Sequence, residues 1–213
     1  MWCTFYSTTS LKNLLSETPF HGQQGLFYES LNCFERMQCE GISPNVITFV
    51  CILRACGSIK CLEKGKQVHE SILNAHVLDM CNLDPGTSDI STSNECIVNK
   101  EEDIVTVGTS LIDMYGKCES IRDACCVFEN LPNKEVTSWN ALIAGYARVG
   151  ESRNVCQLFE QMLENGVKPD PVTFVVMLNA CVRMGLFEST QTYYELMSRD
   201  YGLAPNFPHN ICI

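Results

Sequence analysis

Charge is scarce in this 213-residue sequence, and positive charge scarcer still: 15 Lys and Arg stand against 25 Asp and Glu, for a formal net charge of −10. General affinity for nucleic acid comes from cations that neutralise phosphates, so this balance argues against a protein that grips phosphate indiscriminately. No stretch reaches about 18 uninterrupted apolar residues, and a membrane span is not expected. Glycine-rich phosphate loops and the zinc-deaminase signature are absent as well. The histidines His21, His69, His76 and His209 form no cluster, and the fourteen cysteines never take the C-x-x-C spacing of zinc sites. No catalytic residue, metal or cofactor is therefore expected, and the cysteines read as reduced thiols in an intracellular compartment rather than as a disulfide scaffold. What the chain has in quantity is apolar residues, 46% of the total. That is too many for disorder throughout and enough, at this length, for a sizeable core.

The apolar residues fall into a pattern most complete at residues 136–170, VTSWNALIAGYARVGESRNVCQLFEQMLENGVKPD. Trp139, Leu142, Ile143 and Tyr146 share one face of a helix that Thr137 or Ser138 would cap and Gly150 would end. Val155, Leu158, Phe159 and Met162 mark a second helix, which stops at Gly166 with Pro169 just beyond. A lone pair of short amphipathic helices cannot bury both apolar faces, so the pattern calls for neighbours stacked against it.

The neighbours are legible. Residues 171–206 realign with the central unit at an offset of 35, matching Trp139 to Phe174, Gly150 to Gly185 and Met162 to Met197. Residues 105–135 place Leu111, Ile112 and Tyr115 where the centre has Leu142, Ile143 and Tyr146, in a unit of only 31 residues. Residues 46–80 form a fourth copy, since NVITFVCILRAC matches DPVTFVVMLNAC at an offset of 125, which pairs Thr48 with Thr173 and Cys56 with Cys181. Those two cysteines occupy one inner position and read as small apolar core residues. The expected fold is all-α, a right-handed α-solenoid of stacked helix-turn-helix repeats.

Repeats of this length occur in two helical families, tetratricopeptide and pentatricopeptide. SWNALIAGYARVG followed by LFEQMLENGVKPD resembles the pentatricopeptide repeat, and LIDMYGKC and TFVVMLNAC resemble the short and long variants of the plant subclass that cycles through three repeat types. By this resemblance the chain divides into a leader or degraded repeat start at 1–21, a partial standard repeat at 22–45 whose helix runs from about Leu26 to Cys39, and a long repeat at 46–80. An acidic loop insertion at 81–104 follows, then a short repeat at 105–135, a standard repeat at 136–170, a long repeat at 171–206 and the stub of a further repeat at 207–213. The insertion separates repeats that normally abut and carries −5 of the formal charge. Residues 1–16 lack any acid and resemble an organelle transit peptide, although they also lack arginine; a damaged opening helix is the other reading.

The resemblance implies a non-catalytic adaptor for single-stranded RNA in a mitochondrion or chloroplast, working with organelle RNA-processing proteins in editing, splicing or stability. In this family the fifth and last residues of a repeat read one base and the second packs against it. These are Asn140, Asp170 and Thr137 in the standard repeat, implying uracil, and Thr109, Glu135 and Thr106 in the short repeat, implying a purine. Val50 and Val175 at the fifth position of the long repeats have no group with which to read. Asn140 also admits a simpler role, bonding its own backbone at a helix start. Lys117, Arg148 and Arg183 recur at the thirteenth position, as a stripe toward the RNA backbone or as cations favoured by helix C-termini, and Ser58 breaks the row. Two other functions remain open: a protein-binding solenoid, and a truncated copy with little activity.

Overall fold

The computed structural model describes residues 23–74 and 100–204. Among them lie nine helices and no strand: α1 Gln23–Cys39, α2 Val46–Ser58, α3 Leu62–Asn74, α4 Lys100–Lys117, α5 Ile121–Glu129, α6 Val136–Val149, α7 Ser152–Glu164, α8 Pro171–Arg183 and α9 Phe187–Arg199. The leader at 1–21, the stub at 207–213 and residues 81–99 of the insertion lie outside the described residues. The helices pair as α2 with α3, α4 with α5, α6 with α7, and α8 with α9, and α1 packs on α2. None of these helices is long and apolar enough to cross a membrane.

First helices pack on first helices. The two most extensive contacts run α2 to α4 and α4 to α6, and α6 packs on α8 in the same way, whereas the second helices of neighbouring pairs share no extensive contact. A layer packed continuously along the stack is its inner one, and the splayed second helices form the outer layer. Close approach in the inner layer depends on glycine. A Cβ on Gly116 of α4 would stand 3.0 Å from the Gly145 Cα of α6, and one on Gly57 of α2 would stand 3.3 Å from the Met114 Cα of α4.

The core follows the same order. One cluster runs from Phe34 and Phe49 through Leu111, Ile112 and Phe128 to Trp139, Leu142 and Met162. A second gathers Ile143, Val155, Phe159, Phe174, Met177 and Met197, and Tyr146 and Leu158 pack against both. The central repeat thus contributes to each. Cys56 and Cys181 are fully buried, and burial raises their thiols to about 12 and about 11, as suits apolar core residues.

Two local readings change. The cap of α6 is Glu135, not Thr137 or Ser138: the helix already includes Val136, and the Ser138 hydroxyl instead donates to the Glu135 carbonyl at 2.8 Å. Helix α4 begins at Lys100, so residues 100–104, assigned from sequence to the acidic loop, are helical. Glu101, Glu102 and Asp103 fill its first turn, where the helix dipole favours negative charge. Gly150, at φ 81°, ends α6 in the left-handed conformation that glycine adopts without penalty.

Candidate functional site

Asp170 holds the centre of the site, at the junction between α7 and α8. It caps α8 in a capping box: its Oδ1 accepts from the Thr173 N–H at 2.7 Å and the Thr173 hydroxyl at 2.8 Å, and the Asp170 N–H donates to that hydroxyl at 3.1 Å. Pro171 at the first helical position adds a fixed φ where no N–H is needed. The carboxylate is therefore anchored before it meets anything else. The same oxygen accepts from Asn140 Nδ2 of α6, at 3.3 Å.

A carboxylate only accepts, so the Asn140 amide must turn its NH2 toward Asp170 and its carbonyl away. Asn140 is 6% exposed, and its Oδ1 is buried without a partner. Leaving a buried acceptor unpaired costs about 1–3 kcal/mol, which a ligand donor reaching it would recover. The oxygen is covered in the ligand-free chain, so such a donor must part the side chains beside it. The simpler role, a helix-start amide bonding its own backbone, is not what the geometry has.

The short repeat is built differently. Thr109 Oγ1 is also buried and unpartnered. Glu135, however, is exposed, makes no side-chain cap bond, and is not bonded to Thr109. Aspartate one methylene shorter reaches back to cap; glutamate does not. The structure brings Asn140 and Asp170 together and leaves Thr109 and Glu135 apart.

On the inner helices, residues at the second, sixth, ninth and thirteenth positions of a repeat share one face, largely open except at the buried Cys51. Thr106 and Thr137 are exposed at the second position, and so are Ile47 at 44% and Val172 at 56%, which sequence reasoning passed over in the long repeats. At the thirteenth position Arg183 is exposed, Arg148 lies half-buried with Nη1 3.5 Å from the Ala144 carbonyl, and Lys117 pairs with Asp113 at 2.5 Å. Also missed was Asn45, which caps α2 as Asp170 caps α8, accepting from the Thr48 N–H and hydroxyl at 2.9 Å each. An Asx residue followed three places on by Thr was the available signal in both cases. Among the described residues no group of three or more His, Cys, Asp or Glu could hold a metal ion.

Helix pairs stacked through their first members, with a repeated row of side chains on the inner surface, define a helical-repeat solenoid. Residues 134–183 match the profile of the PPR repeat family, residues 28–58 that of the pentatricopeptide repeat domain, and residues 109–136 and 172–201 that of the PPR repeat. The chain belongs to the pentatricopeptide repeat family. In Arabidopsis thaliana, pentatricopeptide repeat-containing protein CRR2, chloroplastic, is 34% identical over 195 residues, covering 91% of this chain and 26% of that protein. Pentatricopeptide repeat-containing protein At3g02330, mitochondrial, is 32% identical over 176 residues, covering 83% and 17%. The chain spans about a sixth to a quarter of the length of the curated relatives it matches. The fold is similar to that of the maize pentatricopeptide repeat protein PPR10, with a TM-score of 0.57 at 16% identity over 96% of this chain and 25% of that one. It is also similar to the PPR domain of Arabidopsis thaliana protein-only RNase P 1, crystallised with tRNA, at TM-score 0.55 and 12% identity over 96% of each chain.

Proposed function

We propose that this chain is a non-catalytic, sequence-selective adaptor for single-stranded RNA in organelle RNA processing, of the subclass with alternating standard, long and short repeats, and that its standard repeat reads uracil. The observation that carries this reading is the Asn140–Asp170 pair. With one N–H of Nδ2 committed to an anchored carboxylate, the amide is oriented with its carbonyl, an acceptor, turned away from Asp170. Uracil carries a donor at N3; cytosine carries an acceptor there, a ring nitrogen whose lone pair would face the amide oxygen. The base would lie beside the exposed Thr137.

The short repeat favours a purine less sharply, because Thr109 can either donate or accept and Glu135 does not orient it. Thr106 is the base-packing residue there. Arg148 and Arg183 face the backbone, as Lys117 would by its register were its ammonium not paired with Asp113, and Val50 and Val175 leave the long repeats unread. With each readable base worth roughly 1–3 kcal/mol of discrimination, selection by two of them is modest. Relatives whose names carry the words chloroplastic and mitochondrial support an organelle as the place of action, and proteins that process organelle RNA are the implied partners.

The test is selection from a randomised short RNA pool at near-physiological salt, with wild type and Asn140→Ala side by side. Wild type should enrich a purine followed by uracil, and Asn140→Ala should lose the preference at the uracil alone. An unchanged preference in Asn140→Ala would show the register to be wrong. No RNA retained by protein that melts cooperatively would turn the reading to a protein-binding solenoid.

A further inference from the structure

The inner face carries one carboxylate beside the row of cations at the thirteenth position. Among the described residues at the second, sixth, ninth and thirteenth positions of α2, α4, α6 and α8, Asp113 is the sole acid. It lies one turn before Lys117 and pairs with it at 2.5 Å, the two side chains being 36% and 27% exposed. The lysine is held at both ends of its chain. Its methylenes lie over Gly57 of α2, where a Cβ would stand 3.0 Å from the Lys117 Cδ, and its ammonium points at Asp113.

A phosphate approaching Lys117 would have to share that ammonium with a carboxylate of its own sign. Such a cation releases few counterions on binding, and counterion release is the main source of backbone affinity. Arg54 stands in the opposite condition. It is exposed, forms no ion pair among the described residues, and sits on α2 one turn before Ser58, the residue that breaks the thirteenth-position row. Residues four apart on a helix share a face, so Arg54 supplies the charge that Ser58 lacks.

We propose that Asp113 is an affinity-setting residue of the RNA face, withholding Lys117 from the RNA backbone, and that Arg54 makes the backbone contact at the upstream long repeat. The backbone would then be met at Arg54, Arg148 and Arg183, with a gap at the short repeat. This inference rests on the RNA-binding reading above. It departs from the sequence-based row in two residues: Arg54 joins it and Lys117 is largely silent.

The experiment measures binding of a labelled single-stranded RNA carrying a purine–uracil step over a range of potassium chloride concentrations. The proteins are wild type, Asp113→Asn, Lys117→Gln, the double variant of these two, and Arg54→Ala, each first shown to melt as wild type does. One added or lost phosphate contact on a single strand changes the log–log salt slope by about 0.7, which is roughly three- to fivefold in affinity near 0.1–0.15 M salt. Asp113→Asn should bind tighter by about that factor with a steeper slope, and the gain should vanish when Lys117 is also Gln. Lys117→Gln alone should change little, and Arg54→Ala should weaken binding by the same factor with a shallower slope. Unchanged affinity in Asp113→Asn, or a gain that survives Lys117→Gln, would overturn the withholding role; unchanged binding by Arg54→Ala would overturn the upstream contact. If Asn140→Ala loses its base preference while the charge variants are silent, the inference falls and the reading function stands. If wild type binds no RNA, both fall together.

Discussion

Asp170 does two things with one oxygen: it caps α8 and it orients Asn140. The two can be separated, because a cap needs only a short side-chain acceptor while the contact to Asn140 needs the reach and charge of the carboxylate. Serine keeps the first and loses the second. We expect Asp170→Ser to unfold within about 0.5 kcal/mol of wild type, since serine is as good a cap, yet to lose discrimination between uracil and cytosine. Chemical denaturation and binding to RNAs differing at that base check the two halves. A large loss of stability, or discrimination retained, would mean that cap and reading are not divided in this way. At this scale the sequence was partly transparent. The fifth and last positions named Asn140 and Asp170, but only the resemblance linked them across 30 residues. The capping box that fixes the carboxylate was written in Asp170, Pro171 and Thr173 and went unread, because the aspartate had already been given another role.

Helix pairing was the most legible level, because the spacing of apolar residues is itself the physical cause of the fold: helices with one apolar stripe must stack. What spacing conceals is how closely the helices approach. Gly116 and Gly145 each look like a weak point in a helix, where glycine costs up to about 1 kcal/mol relative to alanine. Their backbones nevertheless cross almost in contact, with a Cβ on Gly116 reaching 3.0 Å from the Gly145 Cα. Gly116→Ala should therefore destabilise the chain by about 1–2 kcal/mol, the overpacking cost exceeding the gain in propensity. Ordinary helix arithmetic predicts the opposite sign, so equilibrium unfolding decides between them, and a stabilised variant would refute the close crossing. The start of α4 was hidden for a different reason. Its acidic first turn continues the composition of the insertion before it, and composition cannot distinguish a charged loop from a helix N-terminus that charge stabilises.

Over the whole molecule, the question is how the helix pairs α2–α3 and α4–α5, well separated in the sequence, remain one stack. Packing of α2 on α4 supplies most of the answer. A half-buried contact adds to it: His69 Nδ1 of α3 lies 2.8 Å from the Tyr115 hydroxyl of α4, with the rings edge to face at 5.7 Å. Burial lowers the pKa of His69 from 6.5, against the opposing influence of Asp123, and raises the Tyr115 phenol to about 12. The imidazole is thus neutral near pH 7, and its Nδ1 shares a hydrogen bond with the Tyr115 hydroxyl in the direction its tautomer sets. In the unfolded chain His69 regains its ordinary pKa near 6.5, so the unfolded state binds more protons as the pH falls through that value. Stability is then full above about pH 6.5 and declines on acidification, by at most about 1.4 kcal/mol per pH unit for one histidine, until the lower folded pKa is reached. Asp123 does not confuse the window. Its carboxyl is held below the usual range by hydrogen bonds from Ser120 and Lys66, so its own loss comes only as the pH falls toward and below about 4. We expect thermal unfolding midpoints to drop between pH 7 and pH 5, and His69→Gln to flatten that drop while keeping a polar partner for Tyr115. A wild-type profile already flat across this interval would mean that His69 is protonated at no cost, and that the interface holding the two repeats together is more open to water than the packing implies.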